Sequence, residues 1–196
     1  MINLGLFFQR YRNKYGKLTQ SKVEGLEFLL IKMFESKLIT LKSEMADILG
    51  EVAHETDFTF QPIVERGGYT YFKYLIGRLE IENLAEANRY KGRGYIMITG
   101  KTNYRKFGNK LGIDLLGNPE LACEKETAWR ILEEGMTDDL LTFGDVNFTG
   151  KTLNNYFGNG KMDFYNARSI INGDKAKNGR MIADYKEAFF EMIEFE

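Results

Sequence analysis

Cysteine and histidine are nearly absent from this chain, with one of each among 196 residues. A lone Cys123 excludes an intramolecular disulfide, and Cys123 with His54 falls short of a conventional zinc ligand set. Neither a metal nor a cofactor is therefore expected. An excess of charge is also missing, because 27 basic side chains face 28 acidic ones and the formal net charge is -1. Such a balance gives no long-range pull toward nucleic acid or an anionic membrane, and argues against a densely charged polyanion as substrate. No apolar run approaches the roughly 20 residues that span a bilayer, since charges interrupt even Leu26 to Met33. Residues 1–17 set Phe7 and Phe8 beside Arg10, Arg12 and Lys14, and lack the apolar core and small-residue cleavage site of a secretory peptide. The expectation is a soluble protein, with no nucleic-acid partner, no membrane insertion and no export by that route.

What the chain does contain is apolar bulk: 43% of it is hydrophobic and 14% aromatic. At this length one core buries more surface than two small ones, so residues 1–196 are read as a single domain and as a monomer. The pattern is mainly helical. Ser21-Lys22-Val23-Glu24 fits a capping box that opens a helix to about Ser36. A second helix is expected from Thr40 or Leu41 to about Thr56, with Leu41, Met45, Ile48 and Val52 forming one buried stripe. Thr59 to Gly68 reads as loop, and Tyr69 to Ile76 as a short aromatic helix. A helix from Asn103 to Leu111 is closed by Gly112, and Asn118-Pro119 opens another that runs through about Glu134 and ends at Gly135. Turns from Gly144 to Gly160 surround a short helix at Thr152 to Phe157. A last helix, Met181 to Phe195, puts Ile182, Tyr185, Phe189 and Met192 on one face.

Two segments carry chemistry. In the second helix the apolar stripe extrapolates by a further step of three to Glu55, which lies within roughly 40° of the stripe's centre at about 100° per residue. A carboxyl group held there resists ionisation, and the carbonyl end of the helix adds to the effect, so its pKa rises and it becomes a proton donor near neutral pH. Periodicity alone equally admits a helix-end glutamate that reaches water. Glu51, one turn earlier, reads as a solvated charge on the side of the helix. The second segment, Lys91-Gly92-Arg93-Gly94-Tyr95-Ile96-Met97-Ile98-Thr99-Gly100-Lys101-Thr102-Asn103-Tyr104, joins a glycine-hinged turn to an alternating apolar run. Read as a strand, it places Tyr95, Met97 and Thr99 on one face and Ile96 and Ile98 on the other.

These motifs, His54-Glu55-Thr56 followed by Gly92 to Tyr104, resemble the signature of family 19 glycoside hydrolases, the class I chitinases and related phage endolysins. Supporting matches are Phe148-Thr149-Gly150-Lys151, then Ala167-Arg168-Ser169-Ile170-Ile171-Asn172-Gly173, and the likeness runs from about Leu18 to Phe189. It implies a lysozyme-like α+β domain, mainly α, with a small β hairpin beside a cleft. It further implies Glu55 as general acid and Glu65, in the following loop, as general base, with Asp57 as the alternative base. By the same resemblance Thr99 holds the nucleophilic water and Asn103 binds substrate near the scissile bond. Asn172 lines the cleft, and Arg180 is the downstream arginine that pairs with the acid. Tyr95 and Tyr69 are candidate sugar platforms, though aromatic residues in so aromatic a chain also serve the core. Met97 departs from the family, which usually has glutamine there.

Two carboxylates suit glycoside hydrolysis because one protonates the leaving oxygen while the other activates water on the opposite sugar face, across a gap of about 6.5 to 9.5 Å in inverting enzymes. The resemblance points to peptidoglycan as the partner, cleaved at β-1,4 bonds by an endolysin or tail-associated lysozyme. Such a protein reaches the wall from the host cytoplasm through a holin pore, or within the virion. Chitin is the nearest alternative substrate, and a non-catalytic glycan-binding virion protein is the alternative of a different class.

Overall fold

The computed structural model of the chain describes residues 1–138 and 145–196. Helix α1 (Leu4–Tyr15) starts at Asn3, whose side-chain oxygen accepts from the Leu6 amide. Helix α2 (Gln20–Glu35) starts at Thr19, two residues before the expected capping box. Thr19 has the extended backbone of a cap and its hydroxyl accepts from Lys22 N, which leaves Ser21 inside the first turn. Helix α3 (Lys42–Glu55) follows, and Glu44 reaches back to accept from the amides of Thr40 and Leu41 at 2.8 and 2.9 Å. Leu41 is the exposed residue before this helix, while Met45, Ile48 and Val52 are buried.

Helix α3 is the axis of the molecule. Every residue from Ser43 to Ala53 is buried, so the helix is enclosed on all sides, as an apolar stripe on one side alone does not require. It ends in a strained reversal: Asp57, Phe58 and Phe60 all have positive φ, which bulky side chains rarely adopt. Packing compensates for the strain. Phe60 is fully buried, and the Phe58 ring meets Tyr185 edge-on at 4.9 Å. Thr56 ties the turn down, donating its hydroxyl to Val52 O and accepting from Phe60 N.

Beyond the turn, β1 (Ile63–Val64) pairs antiparallel with β2 (Arg93–Gly94). Between them lie a 3-10 helix at Tyr69–Leu75 and α4 (Leu84–Arg89). The expected strand from Tyr95 to Thr99 is instead a tight turn: Arg93 and Ile98 bridge back to back, and Met97 sits at φ 54. Four residues between bridge partners leave no room for an alternating strand. Arg93 fixes this turn from inside, being 3% exposed and donating to Arg89 O, Tyr104 Oη and Glu120.

Helix α5 (Lys101–Leu111) ends at Gly112 in the left-handed conformation, as expected. The single helix expected from Pro119 is two elements, a 3-10 turn Pro119–Cys123 and α6 (Lys125–Thr137), separated by an extended Glu124. Gly135 lies inside α6. A Cβ there would stand 2.0 Å from the Phe148 ring, so this glycine is a seat for an aromatic side chain rather than a stop. The turn region expected to begin at Gly144 has its first residue outside the described ones; its remainder holds a 3-10 turn at Leu153–Asn155 and a hairpin of β3 (Phe157–Gly158) with β4 (Lys161–Met162). Then come α7 (Phe164–Ala167), a 3-10 turn Arg168–Ile170, and α8 (Lys175–Met192), which packs along α3. The last helix begins six residues before the expected Met181, and Ile182, Phe189 and Met192 are buried on its inner face. Among the described residues, no helix is long and apolar enough to cross a membrane.

Candidate active site

A cleft of about 630 Å³ opens between the C-terminal end of α3, the β1–β2 sheet with its turn, and the segment before α8. Glu55, Glu65, Thr99, Asn103 and Asn172 all line it, so these expected site residues meet in one place although they come from four separate parts of the chain. The enclosed helix α3 delivers Glu55, whose side chain is 14% exposed. Its carboxyl accepts from Arg168 Nη1 at 2.7 Å. Burial pushes this carboxyl above its ordinary range, and the guanidinium pulls it back without cancelling the rise.

Glu65, directly after β1, lines the same cleft and is held at both oxygens. Tyr74 donates its hydroxyl to Oε1 at 3.1 Å, and the Gly92 amide donates to Oε2 at 3.1 Å. The backbone repeats the link, since Glu65 N donates to Gly92 O at 2.8 Å. This geometry requires a glycine at position 92: a Cβ would stand 2.9 Å from Glu65 Oε2 and 3.2 Å from the Glu65 Cβ. Asp57, the other candidate base, also lines the cleft but is exposed on the strained turn.

In the turn after β2, Thr99 donates its hydroxyl to Met97 O at 2.8 Å, which leaves its oxygen lone pairs to accept. Asn103 Nδ2 donates to Thr99 O at 2.8 Å, clamping α5 to the same turn. Met97 itself lines the cleft, so the thioether stands where an amide is usual in the family that the motifs resemble.

Several expectations are corrected. Tyr95 is no sugar platform: it is fully buried, with its ring 6.5 Å from that of Phe28, because the tight turn directs it into the core. Arg180 does not pair with the acid. Its guanidinium is 71% exposed and bridges Asp184 and Glu187 on the outer face of α8. Arg168 takes that place, 1% exposed, donating to Glu51 and Glu55 through Nη1 and to Asp174 through Nε and Nη2. Glu51 is likewise not solvated but fully buried. Tyr69 is exposed and lies outside the cleft lining, whereas Tyr74 of the same 3-10 helix lines it. Arg168, Asp174 and Tyr74 were missed as site residues. A spacing signal existed for the buried acids, since Asp47, Glu51 and Glu55 fall four residues apart.

A mainly helical, lysozyme-like α+β scaffold with an acid-walled cleft defines the class. Over residues 36–129 the chain matches the family model of the class I chitinases, glycoside hydrolase family 19. It is 38% identical over 81 residues to Chitinase 8 of Oryza sativa subsp. japonica, covering 41% of this chain and 29% of that protein. To acidic endochitinase Q of Nicotiana tabacum it is 30% identical over 89 residues, 44% of this chain and 31% of that one. The aligned stretch thus spans less than a third of these curated relatives. Among solved structures, chitinase C from Streptomyces griseus HUT6037 superposes with a TM-score of 0.55 at 20% identity, over 97% of this chain and 75% of that one. A second bacterial family 19 chitinase gives the same TM-score and identity over 97% and 93%. At such identity the superposition establishes the fold.

Proposed function

We propose that residues 1–196 act as one glycoside hydrolase domain that cleaves β-1,4 bonds between amino sugars of peptidoglycan with inversion. The observation that carries this reading is the pair of carboxyls that line one cleft from separate elements, each held differently. Glu55, whose carboxyl burial pushes above its ordinary range, is suited to protonate the leaving oxygen. Glu65 has both oxygens fixed by donors, and takes a proton from a water that also donates to Thr99 Oγ1. Asn103 and Asn172 present amide groups along the floor for sugar hydroxyl and acetamido groups. Arg168 steadies Glu55 before transfer and stabilises the carboxylate left after it.

The endolysin or tail-associated role, acting from the host cytoplasm through a holin pore or from the virion, goes with this reading, and peptidoglycan is then the partner. The second reading is chitin hydrolysis, favoured by the names of the relatives. Turbidity clearing of outer-membrane-permeabilised bacteria, run beside cleavage of chitin oligomers, separates the two. Peptidoglycan lysis with weak release from chitin oligomers is expected, and the opposite ranking would assign the chain to chitin. Binding to both without release of product would make it a glycan-binding protein.

A further inference from the structure

Behind the cleft, α3 carries a column of acids that the proposed chemistry does not use. Asp47, Glu51 and Glu55 stand four residues apart, so their carboxyls share one helix face. Asp47 and Glu51 have no solvent exposure, and neither has Lys186 of α8, which reaches between them. Lys186 Nζ is 2.6 Å from Asp47 Oδ1 and 2.7 Å from Glu51 Oε1, at ion-pair distance though off the hydrogen-bonding direction. It also donates to the Phe164 carbonyl at 3.3 Å. Glu51 accepts from Arg168 Nη1 at Oε2, and the same nitrogen donates to Glu55 Oε1. Asp47, Lys186, Glu51, Arg168 and Glu55 thus alternate in charge without a break from the core to the cleft.

The charges do not balance. Two cations, Lys186 and Arg168, meet four carboxyls, those of Asp47, Glu51, Glu55 and Asp174. Full ionisation would leave two uncompensated negative charges in a cluster whose Asp47, Glu51, Lys186 and Arg168 side chains are almost without solvent, and burial there favours keeping a proton. Asp47 Oδ2 finds no hydrogen-bond partner, and burial pushes the Asp47 carboxyl from 3.8 up to about 7 despite Lys186.

We propose that Asp47, Glu51 and Lys186 are positioning residues for the proton-donating step, setting how firmly Glu55 holds its proton through the guanidinium that Glu51 and Glu55 share. The proposal rests on Glu55 as the acid. Glu55 is faced by Arg168 from its 3-10 turn, by Asp174 from the residue before α8, and by Glu51 and His54 of its own helix. Asp57, Glu65 and Arg66 line the same cleft. Of these groups Glu51 is the one in ion-pair contact with the buried Lys186, while Arg168 acts on Asp47 only through space. An ionised Glu51 takes part of the Arg168 field and repels charge on Glu55, so it favours the protonated acid; Lys186 limits this by neutralising Glu51 from behind.

The test is a carbon-13 NMR titration of the Glu55 carboxyl in the full chain, read together with the pH dependence of kcat. In the wild type, the Glu55 curve is expected to carry a second inflection where Asp47 titrates, since coupled groups share their titration steps. Glu51→Gln leaves Arg168 Nη1 to Glu55 alone. It should lower the Glu55 midpoint by about one unit and move the alkaline limb of kcat down with it. Asp47→Asn should shift both in the same sense by less, because Lys186 then neutralises Glu51 more fully. A wild-type Glu55 curve with no trace of Asp47, or folded variants whose Glu55 midpoint stays in place, would overturn the proposal and leave the column purely structural. Should both variants fail to fold, the wild-type curve decides. The midpoint does not depend on turnover, so failure of the acid role itself, seen as an active Glu55→Gln, remains distinguishable.

Discussion

Single residues carry the chemistry, and Glu55 is the most exposed to test. Glu55→Gln keeps the shape and the contact to Arg168 but has no proton to give. A loss of about 10² to 10⁴ in kcat is expected, with the melting temperature compared in the same experiment; near wild-type lysis would remove Glu55 from the acid role. Asp47 supports a prediction about stability. Its folded-state carboxyl lies at about 7 against 3.8 when free, so folding favours its protonated form. The resulting stabilisation is complete at pH values below about 4 and is lost as pH rises toward 7. Asp47→Asn lacks this term, and the melting temperature of the variant relative to wild type should climb across that window. A constant difference between the two would show that Asp47 is ionised throughout. The inward placement of Glu55 was legible from the stripe Met45, Ile48 and Val52. The burial of Glu51 and Asp47 was not, because a hydrophobic stripe identifies one buried face and cannot show that α8 closes the opposite one with a lysine.

Elements set the distances between those residues. The β1–β2 pair is only two residues per strand, yet it brings the Gly92 amide to Glu65. Gly92→Ala should push the Glu65 carboxyl aside and lower kcat at least tenfold, at a modest cost in stability of about 1 to 3 kcal/mol for the crowding. Unchanged turnover in a folded Gly92→Ala protein would mean that this amide does not place the base. The turn at 95–98 makes a second prediction. Thr99→Val removes a hydroxyl acceptor but keeps volume, and should cost about 1 to 3 kcal/mol of transition-state stabilisation. Asn103→Ala should chiefly raise KM, and also loosen the turn through loss of the bond to Thr99 O. If both variants melt early but turn over normally once folded, this turn is structural only. Alternation of apolar residues made Tyr95 to Thr99 look like a strand. What decides the turn is the bridge of Arg93 to Ile98 together with the burial of the Arg93 guanidinium against Tyr104 and Glu120, 11 and 27 residues further on, which apolar alternation does not report.

At the scale of the whole molecule, the helix-rich architecture was legible in the periodicities, whereas the meeting of Glu55, Glu65, Thr99, Asn103 and Asn172 in one cleft was implied only by the resemblance of the motifs. The choice of Arg168 over Arg180 depended on how α8 is rotated against α3, which places Arg180 outward beside Asp184 and Glu187. A one-sided helix pattern fixed which residues of α8 face the core, but not which upstream arginine the preceding turn would bury. Glu55 on the central helix and Glu65 on a separate segment line the same cleft, and the proposed inverting reaction needs a water between the second carboxyl and the sugar. Proton NMR of the first product released from a soluble glycan, recorded before mutarotation, tests this most directly. Product of the α configuration from a β-linked substrate is predicted, whereas initial release of the β anomer would contradict the inverting pair of Glu55 and Glu65.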